Sequence, residues 1–271
     1  MTSTEMNPPA TIDWPAGGIA RITLARGETH NTLTTELLAA LEALLGEVEA
    51  AGARALIVTG SGRTFCGGAH IRYFTDPASP LYADPRGIRD YVQRILAVFA
   101  RLRNGPFVTV AAIGGHALGG GCELALACDF RLMSGEARIG LTETRLGAVP
   151  GGGGVQLLSR LVGRAKALEF ALPGEPWTAD AALGIGLVAA VHPQAELTEA
   201  ALAFARRFLL CSPISVAETK RALYRCETAT AEEADRIALD AVAVAAAGPE
   251  WREGMTAFTE KRAPSFRLEA R

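Results

Sequence analysis

Glu123 stands as a lone carboxylate among small and apolar residues, which makes it the first candidate for chemistry. Its segment, residues 114–129, reads GGHALGGGCELALACD. Burial of a carboxylate is costly unless the group is paired or used. Three successive glycines, residues 119–121, precede it and leave backbone N–H groups free at a helix N-terminus, where negative charge is favoured. This pattern fits an active site, and it also fits a tightly packed helix crossing in which Glu123 is paired.

Glu143 is a second carboxylate beside a glycine cluster, which here covers residues 151–154. Two carboxylates in one cleft can divide the acid and base roles, because each raises the other's pKa. Glu123 and Glu143 are twenty positions apart, so they meet only where the intervening strands fold back. The structural alternative is that Thr142 caps a helix whose dipole favours Glu143 in the first turn.

The loop at residues 60–70, GSGRTFCGGAH, is a third glycine-rich segment, and it carries no phosphate-binding motif. Phe65 occupies the position of the last glycine of a dinucleotide fingerprint, and the Gly-Lys-Ser/Thr of a P-loop is absent. The sequence also lacks a G-x-S-x-G elbow and a HExxH metal motif. His70 and His116 lie near the glycine loops without a recognisable Ser or Cys partner, and a lone histidine is more often structural. We therefore expect no metal and no separate cofactor.

The composition is that of an ordinary globular protein. The 271 residues are 49% hydrophobic and 21% charged, and the net charge is −2, so no nucleic-acid footprint is visible. No uncharged apolar segment has the length needed to span a bilayer. The five cysteines form no CxxC pair, which favours free thiols in a reducing compartment. Because the N-terminus has no secretory or mitochondrial signature, we expect a cytoplasmic protein that binds neither nucleic acid nor membrane.

The order of the predicted elements indicates an α/β architecture. A strand over residues 18–24, a helix over 34–51 and a strand over 55–59 form one crossover unit. A further strand over 107–113 leads into the Glu123 segment, and from about residue 194 the pattern is helical only. We predict three parts: a flexible lead-in over residues 1–17, an active-site core over 18–193 and a helical region over 194–271.

Four segments together resemble the enoyl-CoA hydratase/isomerase (crotonase) family, and most closely its enoyl-CoA hydratases. They are TGSGRTFCGGAHI, GHALGGGCELALACDFRLMS, ARIGLTETRLGAVPGGGGVQLLSRLVG and WREGMTAFTEKRAPSF. The likeness runs from about residue 18 to residue 266. It implies a crotonase-like spiral of β-β-α units, with a helical C-terminal region that drives assembly into a homotrimer or a dimer of trimers.

The resemblance also implies a reaction of fatty acid metabolism, the syn addition of water to a trans-2-enoyl-CoA to give a 3-hydroxyacyl-CoA. The backbone N–H groups of Ala69 and Gly120 would form an oxyanion hole for the thioester carbonyl, where preorganised donors stabilise the enolate. Glu123 would help to activate water for attack at Cβ, and Glu143 would deliver a proton to Cα. Contacts with the acyl-CoA substrate are implied for Arg26, Gly67, Gly68, Ala69, Ile71, Arg72, Gly119, Gly120, Phe258 and Lys261.

Two departures from the family pattern stand close to this implied site. His70 occupies the position after the oxyanion alanine, where the family usually has Asp. Many members carry a Lys shortly before the Asn that matches Asn31, and this Lys contacts a CoA phosphate. Here residues 28–30 are Glu-Thr-His instead. Arg26 or Arg72 is the substitute that we expect for this contact.

The same fold leaves other acyl-CoA reactions open, namely double-bond isomerisation, decarboxylation and thioester hydrolysis. A non-catalytic member that binds CoA or RNA is a further alternative, because a fold does not fix a reaction. The presence of both Glu123 and Glu143 favours hydration, since isomerases commonly work with only one glutamate. Phe258 and Lys261 lie where family members contact CoA, often across a subunit boundary.

Overall fold

Two β-sheets form the centre of the chain, and helices cover them. The computed structural model describes residues 8–266. The strands are β1 Ala10–Ala16, β2 Ile19–Leu24, β3 Ala55–Gly60, β4 Thr64–Cys66, β5 Val108–Ile113, β6 His116–Leu118, β7 Phe130–Ser134, β8 Arg138–Gly140, β9 Trp177–Thr178 and β10 Ala190–His192. The helices are α1 Thr35–Ala50, α2 Arg72–Thr75, α3 Pro85–Asn104, α4 Gly120–Leu126, α5 Gly154–Ala171, α6 Ala179–Gly184, α7 Leu197–Arg206, α8 Pro213–Cys226, α9 Ala231–Ala247 and α10 Pro249–Thr259. Short 3-10 helices are Gly27–Thr29, Glu143–Leu146 and Arg207–Leu210.

The larger sheet has the strand order β1-β2-β3-β5-β7-β10, and the smaller sheet has the order β4-β6-β8-β9. The larger sheet is parallel from β2 to β10, and the first three strands of the smaller sheet are parallel to one another. The chain gives one strand to each sheet in turn: β3 then β4, β5 then β6, and β7 then β8. Helices follow each of these pairs, so the predicted α/β spiral of β-β-α units is confirmed.

Strand β3 shows why apolar runs mark the larger sheet. Leu56 and Val58 belong to the core cluster that also contains residues of α1 and α3, whereas Ala55 and Ile57 belong to a second cluster with α7. Successive side chains of a strand lie on opposite faces. Because both faces are covered, apolar residues occupy consecutive positions instead of alternate ones. The larger sheet is therefore a middle layer, and its strands lead directly into the glycine loops.

The prediction of a flexible lead-in over residues 1–17 is wrong for residues 10–16. These residues form β1, which pairs antiparallel with β2 in a register that sets Ala10 opposite Leu24. The Arg21 guanidinium donates to both carboxylate oxygens of Asp13, at 2.9 and 2.7 Å. As an edge strand, β1 tolerates Pro15, which cannot donate a ladder hydrogen bond. Residues 1–7 of the predicted lead-in lie outside the described chain.

The C-terminal part is helical from α7 onwards, as predicted, and residues 194–266 contain no described strand. The buried Lys220 of α8 fastens this part to the core. Its Nζ donates to the carbonyl oxygens of Leu102 at 3.1 Å and Phe107 at 2.7 Å, and it forms a salt bridge with Asp129 at 2.7 Å. Taken singly, no described helix combines the length and apolar character needed to cross a membrane; one bent pair, Leu197–Leu210 with Pro213–Cys226, passes by length and composition only.

Candidate active site

Asn31 fixes the loop that follows β4. Its side chain is buried, and its Nδ2 donates to the carbonyl oxygens of Ser61, Thr64 and Phe65 at 3.1, 2.7 and 3.2 Å. A backbone hydrogen bond also joins the two segments, because the Leu33 N–H donates to Gly68 O at 2.8 Å. These contacts join two parts of the chain that are thirty or more residues apart, and they determine where the N–H groups after Gly68 point.

The N–H groups of Ala69 and Gly120 lie side by side at the junction of this loop with α4. A Cβ placed on Gly68 would lie 2.9 Å from Gly120 N, and one placed on Gly120 would lie 3.5 Å from Ala69 N. Gly68 has φ +88°, a backbone conformation that favours glycine. Within the described chain, neither N–H donates a backbone hydrogen bond outside the regular elements, and Gly120 is the first residue of α4. The pair can therefore bind one oxygen atom that carries negative charge.

The other glycines of the run 119–121 are required by close packing. Gly121 has no room for a side chain, because a methyl group there would overlap the carbonyl oxygen of Cys66. Gly119 has φ +54°, and a Cβ there would lie 3.2 Å from Glu143 Oε1. The Glu123 N–H in turn donates to Gly119 O at 3.1 Å. Gly119 thus lies between the two glutamates, which the structure brings to the same place.

Glu123 lies in the first turn of α4 and is 4% exposed. Its Oε1 accepts a hydrogen bond from the Gly154 N–H at 2.8 Å, and its Oε2 lies 2.5 Å from the position that a Cβ of Gly152 would occupy. Burial raises the pKa of Glu123 to about 7; the Gly154 N–H opposes this rise, and the nearby Glu143 carboxylate adds to it. Near neutral pH this carboxyl group can therefore both accept and release a proton.

Glu143 begins a 3-10 helix directly after β8. Its Oε2 is buried and has no hydrogen-bond partner among residues 8–266. Burial raises the pKa of Glu143 as well, against backbone hydrogen bonds that lower it. The side chain of Thr142 makes no capping hydrogen bond. The capping alternative therefore does not account for Glu143, whose carboxylate faces Gly119 and not the helix end.

The loop residues expected to contact the substrate surround these groups. Gly67 is the first residue after β4, and its N–H donates to His30 O at 2.8 Å. Ile71 is 51% exposed, and Arg72 opens α2 as an exposed side chain. Arg26 is half-buried and precedes the 3-10 helix Gly27–Thr29. Within the described chain, neither arginine forms a salt bridge.

Phe258 and Lys261 are not brought to this site within the chain. Phe258 is 85% exposed at the end of α10, and Lys261 is exposed just beyond it. The helix contacts α9, and its Ala257 is buried. A contribution of Phe258 and Lys261 across a subunit boundary stays a prediction.

His70 contacts the helix-opening segment and not the glutamates. Its Nδ1 lies 3.0 Å from Thr32 Oγ1, and its ring meets the Tyr73 ring edge-on with centroids 4.9 Å apart. Cys66 is fully buried, and burial raises the pKa of its thiol to about 12. The thiol is therefore protonated and inert at neutral pH. His116 is the first residue of β6 and is half-buried.

Sequence reasoning did not identify several residues that shape the site. Asn31 entered the sequence analysis only as a landmark of the family pattern, although its amide donates to three carbonyl groups of the oxyanion loop. The Tyr91 hydroxyl donates to Leu33 O from the opposite side. Gly152 and Gly154 touch the Glu123 carboxylate from a distant segment. The only signal for the last two was the glycine cluster itself.

Comparison with known proteins agrees with this geometry. Residues 15–269 match the model of the family described as "Enoyl-CoA hydratase/isomerase". The chain belongs to the enoyl-CoA hydratase/isomerase family. Members of this family act on acyl-CoA thioesters, which is the class of compound that a hole for a thioester oxygen would accommodate. The resemblance drawn from the four sequence segments is thus confirmed.

Individual relatives of the family cover almost the whole chain. A protein of Bacillus subtilis named "Probable enoyl-CoA hydratase" is 37% identical over 244 residues, which are 88% of this chain and 92% of that protein. The "Short-chain-enoyl-CoA hydratase" of Clostridium acetobutylicum is 34% identical over 248 residues, 91% of this chain and 93% of that protein. The crystal structure of the enoyl-CoA hydratase from Bacillus anthracis superposes with a TM-score of 0.88 at 33% identity, over 96% of this chain and 100% of that one. The crotonase-like fold is therefore shown by structural likeness as well as by sequence.

Proposed function

We propose that the protein is an enoyl-CoA hydratase that adds water to trans-2-enoyl-CoA thioesters. The observation that carries this proposal is the meeting of two carboxylates, the buried Glu123 and the half-buried Glu143, on either side of Gly119 and next to the paired N–H groups of Ala69 and Gly120. A hydration needs three things at once: a base for water, an acid for the α-carbon and donors for the thioester oxygen.

The thioester oxygen would accept hydrogen bonds from the N–H groups of Ala69 and Gly120, which polarises the conjugated double bond and makes Cβ electrophilic. A water molecule held by the two carboxyl groups then attacks Cβ. The ionised Glu123 takes one proton from this water while the oxygen of the water forms a bond to Cβ. Glu143, protonated, gives its proton to Cα as the enolate electrons return. The substrate thereby gains one water, and the pair of carboxyl groups keeps a single proton throughout.

The raised pKa values of both glutamates support this distribution of protons. Two carboxyl groups in a buried place resist carrying two negative charges, so one of them holds a proton near neutral pH. The one-proton state belongs to the pair, and the proton passes between its members as the product leaves. An isomerase reaction moves a proton with one carboxylate alone, and the second carboxylate, Glu143, therefore favours hydration.

We also propose that the protein assembles as a homotrimer or a dimer of trimers and works in the cytoplasm with no cofactor beyond the CoA of its substrate. Large exposed apolar side chains on the last two helices support assembly, since such groups mark interaction surfaces. They are Leu239, Val242, Val244, Trp251, Met255 and Phe258. Light scattering of the purified protein tests the oligomeric state, and a monomer at micromolar concentration would contradict it.

The activity is tested with crotonyl-CoA, by following the loss of absorbance of the conjugated enoyl-thioester and identifying 3-hydroxybutyryl-CoA as the product. We expect Glu123→Gln and Glu143→Gln each to lower kcat by about a hundredfold to ten-thousandfold while the variants still bind CoA thioester. Glu136→Gln is the matched control, because Glu136 is an exposed glutamate outside the site. Full activity in either site variant would refute the two-carboxylate mechanism. No hydration by the wild type, with CoA thioester binding intact, would refute the proposed reaction.

A further inference from the structure

Leu33 contacts both of the segments that carry the paired N–H groups of Ala69 and Gly120. Its N–H donates to Gly68 O at 2.8 Å, and it forms an isolated parallel bridge with Ala69. Its side chain is fully buried, and its Cδ1 lies 2.9 Å from the position that a Cβ of Gly120 would occupy. A shift of Leu33 would therefore act on both N–H groups.

The hydrogen bond between Leu33 and Gly68 also sets the direction of the Ala69 N–H. Gly68 O and the Ala69 N–H belong to one peptide group, and this peptide is trans. In a planar trans peptide the C=O and N–H bonds point in opposite directions. Because Leu33 holds the oxygen, the Ala69 N–H points away from Leu33. The direction of this donor therefore depends on how firmly Leu33 itself is held.

Tyr91 of α3 holds the backbone of Leu33. Its hydroxyl donates to Leu33 O. Tyr91 is 6% exposed, and burial raises the pKa of its hydroxyl, which a hydrogen bond from the His70 backbone opposes. The hydroxyl therefore stays a neutral donor over the pH range in which the two glutamates titrate. It touches both Leu33 and the residue that directly follows Ala69.

The position of Tyr91 is fixed by its neighbours on α2 and by the attachment of α3. Its ring meets the rings of Tyr73 and Phe74 edge-on, with centroids 5.7 and 6.0 Å apart. The Arg94 guanidinium, which lies on the next turn of α3, donates to both carboxylate oxygens of Glu42 in α1 at 2.9 and 2.8 Å. A buried tyrosine hydroxyl needs a partner, and any free carbonyl group would satisfy a merely structural role. The partner here is the residue that contacts both donor segments.

We propose that Tyr91 is a positioning residue of the oxyanion hole, whose hydroxyl holds Leu33 so that the N–H groups of Ala69 and Gly120 meet the same thioester oxygen. The proposal rests on the proposed function in one respect, the binding of a thioester oxygen by these two groups. Tyr91 transfers no proton in the reaction, because its hydroxyl has one proton and donates it to Leu33 O. Its contribution is therefore to geometry.

The direct test is the carbonyl stretching frequency of bound butanoyl-CoA, labelled with ¹³C at the thioester carbonyl and measured by infrared difference spectroscopy. Hydrogen bonds from the two N–H groups weaken the C=O bond, so the band of the wild-type complex should lie below that of free butanoyl-CoA. Tyr91→Phe removes the hydroxyl and keeps the ring, and its band should move part of the way back towards the free thioester. With crotonyl-CoA we expect this variant to lower kcat by about ten- to a hundredfold and to leave KM nearly unchanged.

Two further proteins give the band its meaning. Tyr224→Phe is the matched control, because it also removes a part-buried tyrosine hydroxyl, one that donates to Asp129 Oδ1 at 2.7 Å from α8. Its complex should keep the wild-type band. Replacement of Tyr91 by 3-fluorotyrosine keeps the hydroxyl and makes it a stronger donor, so the band should stay at the wild-type frequency or lie lower. Only folded protein binds the thioester, and none of these frequencies therefore depends on the folded fraction.

The spectrum also separates this inference from the reaction, because butanoyl-CoA cannot be hydrated. If the protein hydrates no enoyl-CoA but lowers the butanoyl-CoA band in a Tyr91-dependent way, the proposed reaction fails and the role of Tyr91 stands. If it hydrates crotonyl-CoA and Tyr91→Phe leaves the band in place, the reaction stands and the role of Tyr91 fails, even where kcat has fallen. An equal shift in Tyr224→Phe, or a wild-type band that matches the free thioester, would overturn this role as well.

Discussion

Replacement of Glu123 by glutamine should make the protein more stable above neutral pH while it lowers kcat. The pKa of Glu123 is raised from 4.5 to about 7 in the folded chain, chiefly by burial. An acid with a raised pKa binds its proton more tightly in the folded state, so stability falls as pH rises between 4.5 and about 7. Above this window, the ionised Glu123 destabilises the fold by about 3 kcal/mol relative to a neutral group.

Glutamine has nearly the same shape and no charge, so Glu123→Gln should remove this penalty. At pH 8 we expect its free energy of unfolding to exceed that of the wild type by as much as about 3 kcal/mol, which for a chain of this size is a rise in Tm of about 6–12 °C. At pH 4 the wild-type carboxyl group is protonated as well, and the two proteins should unfold alike. The gain in the free energy of unfolding stays below this upper value because the neutral amide oxygen is a weaker acceptor for the Gly154 N–H than the carboxylate is.

The assay is urea or thermal unfolding of both proteins at pH 4, 6 and 8 and at one protein concentration, because assembly would shift the apparent stability. Glu136→Gln controls for the loss of any one carboxylate, since Glu136 is exposed. A Glu123→Gln protein that is less stable than the wild type at pH 8, or a difference that does not change with pH, would refute the reasoning. In either case Glu123 would not be a strained, desolvated carboxylate.

Three other substitutions have expected outcomes that follow from single contacts. Gly121→Ala sets a methyl group against the carbonyl oxygen of Cys66 and should cost about 1–3 kcal/mol in urea unfolding. Lys220→Met leaves Asp129 buried without its partner and should cost about 3–5 kcal/mol, with less lost when Asp129→Asn is added. Asn31→Ala removes the hydrogen bonds that hold the loop carrying the Ala69 N–H, and it should lower kcat by about a hundredfold in the crotonyl-CoA assay. An unchanged kcat would show that the Asn31 amide does not position this loop for catalysis.

The burial of Glu123 at a helix start could be predicted from the sequence because the signal is local. A charged residue amid alanine and leucine, just after three glycines, indicates a buried carboxylate at a helix start without knowledge of any distant contact. The larger-sheet strands β2, β3 and β5 and the C-terminal helices were predictable for the same reason, since their apolar patterns lie within one short window.

The contacts that build the site could not be predicted, because each of them joins distant segments. The Gly154 N–H reaches Glu123 across 31 positions, and the Asn31 amide reaches the loop after β4 across 30 or more. Strand β1 was missed because its pairing with β2, and not its own polar and proline-containing sequence, makes it a strand.

The unpartnered oxygen of Glu143 bears on the choice between a catalytic pair and a packed helix crossing. If Glu123 and Glu143 only held the fold together, each buried oxygen would be expected to have a donor, as buried polar groups generally do. Glu143 Oε2 has no hydrogen-bond donor among residues 8–266. The charge of Glu143 also disfavours ionisation of the nearby Glu123. The buried guanidinium of Arg131, by contrast, donates to the carbonyl oxygens of Ala125, Cys128 and Leu187. This contrast supports the proposed catalytic pair, in which a water molecule between the two carboxyl groups would donate a hydrogen bond to the open oxygen of Glu143.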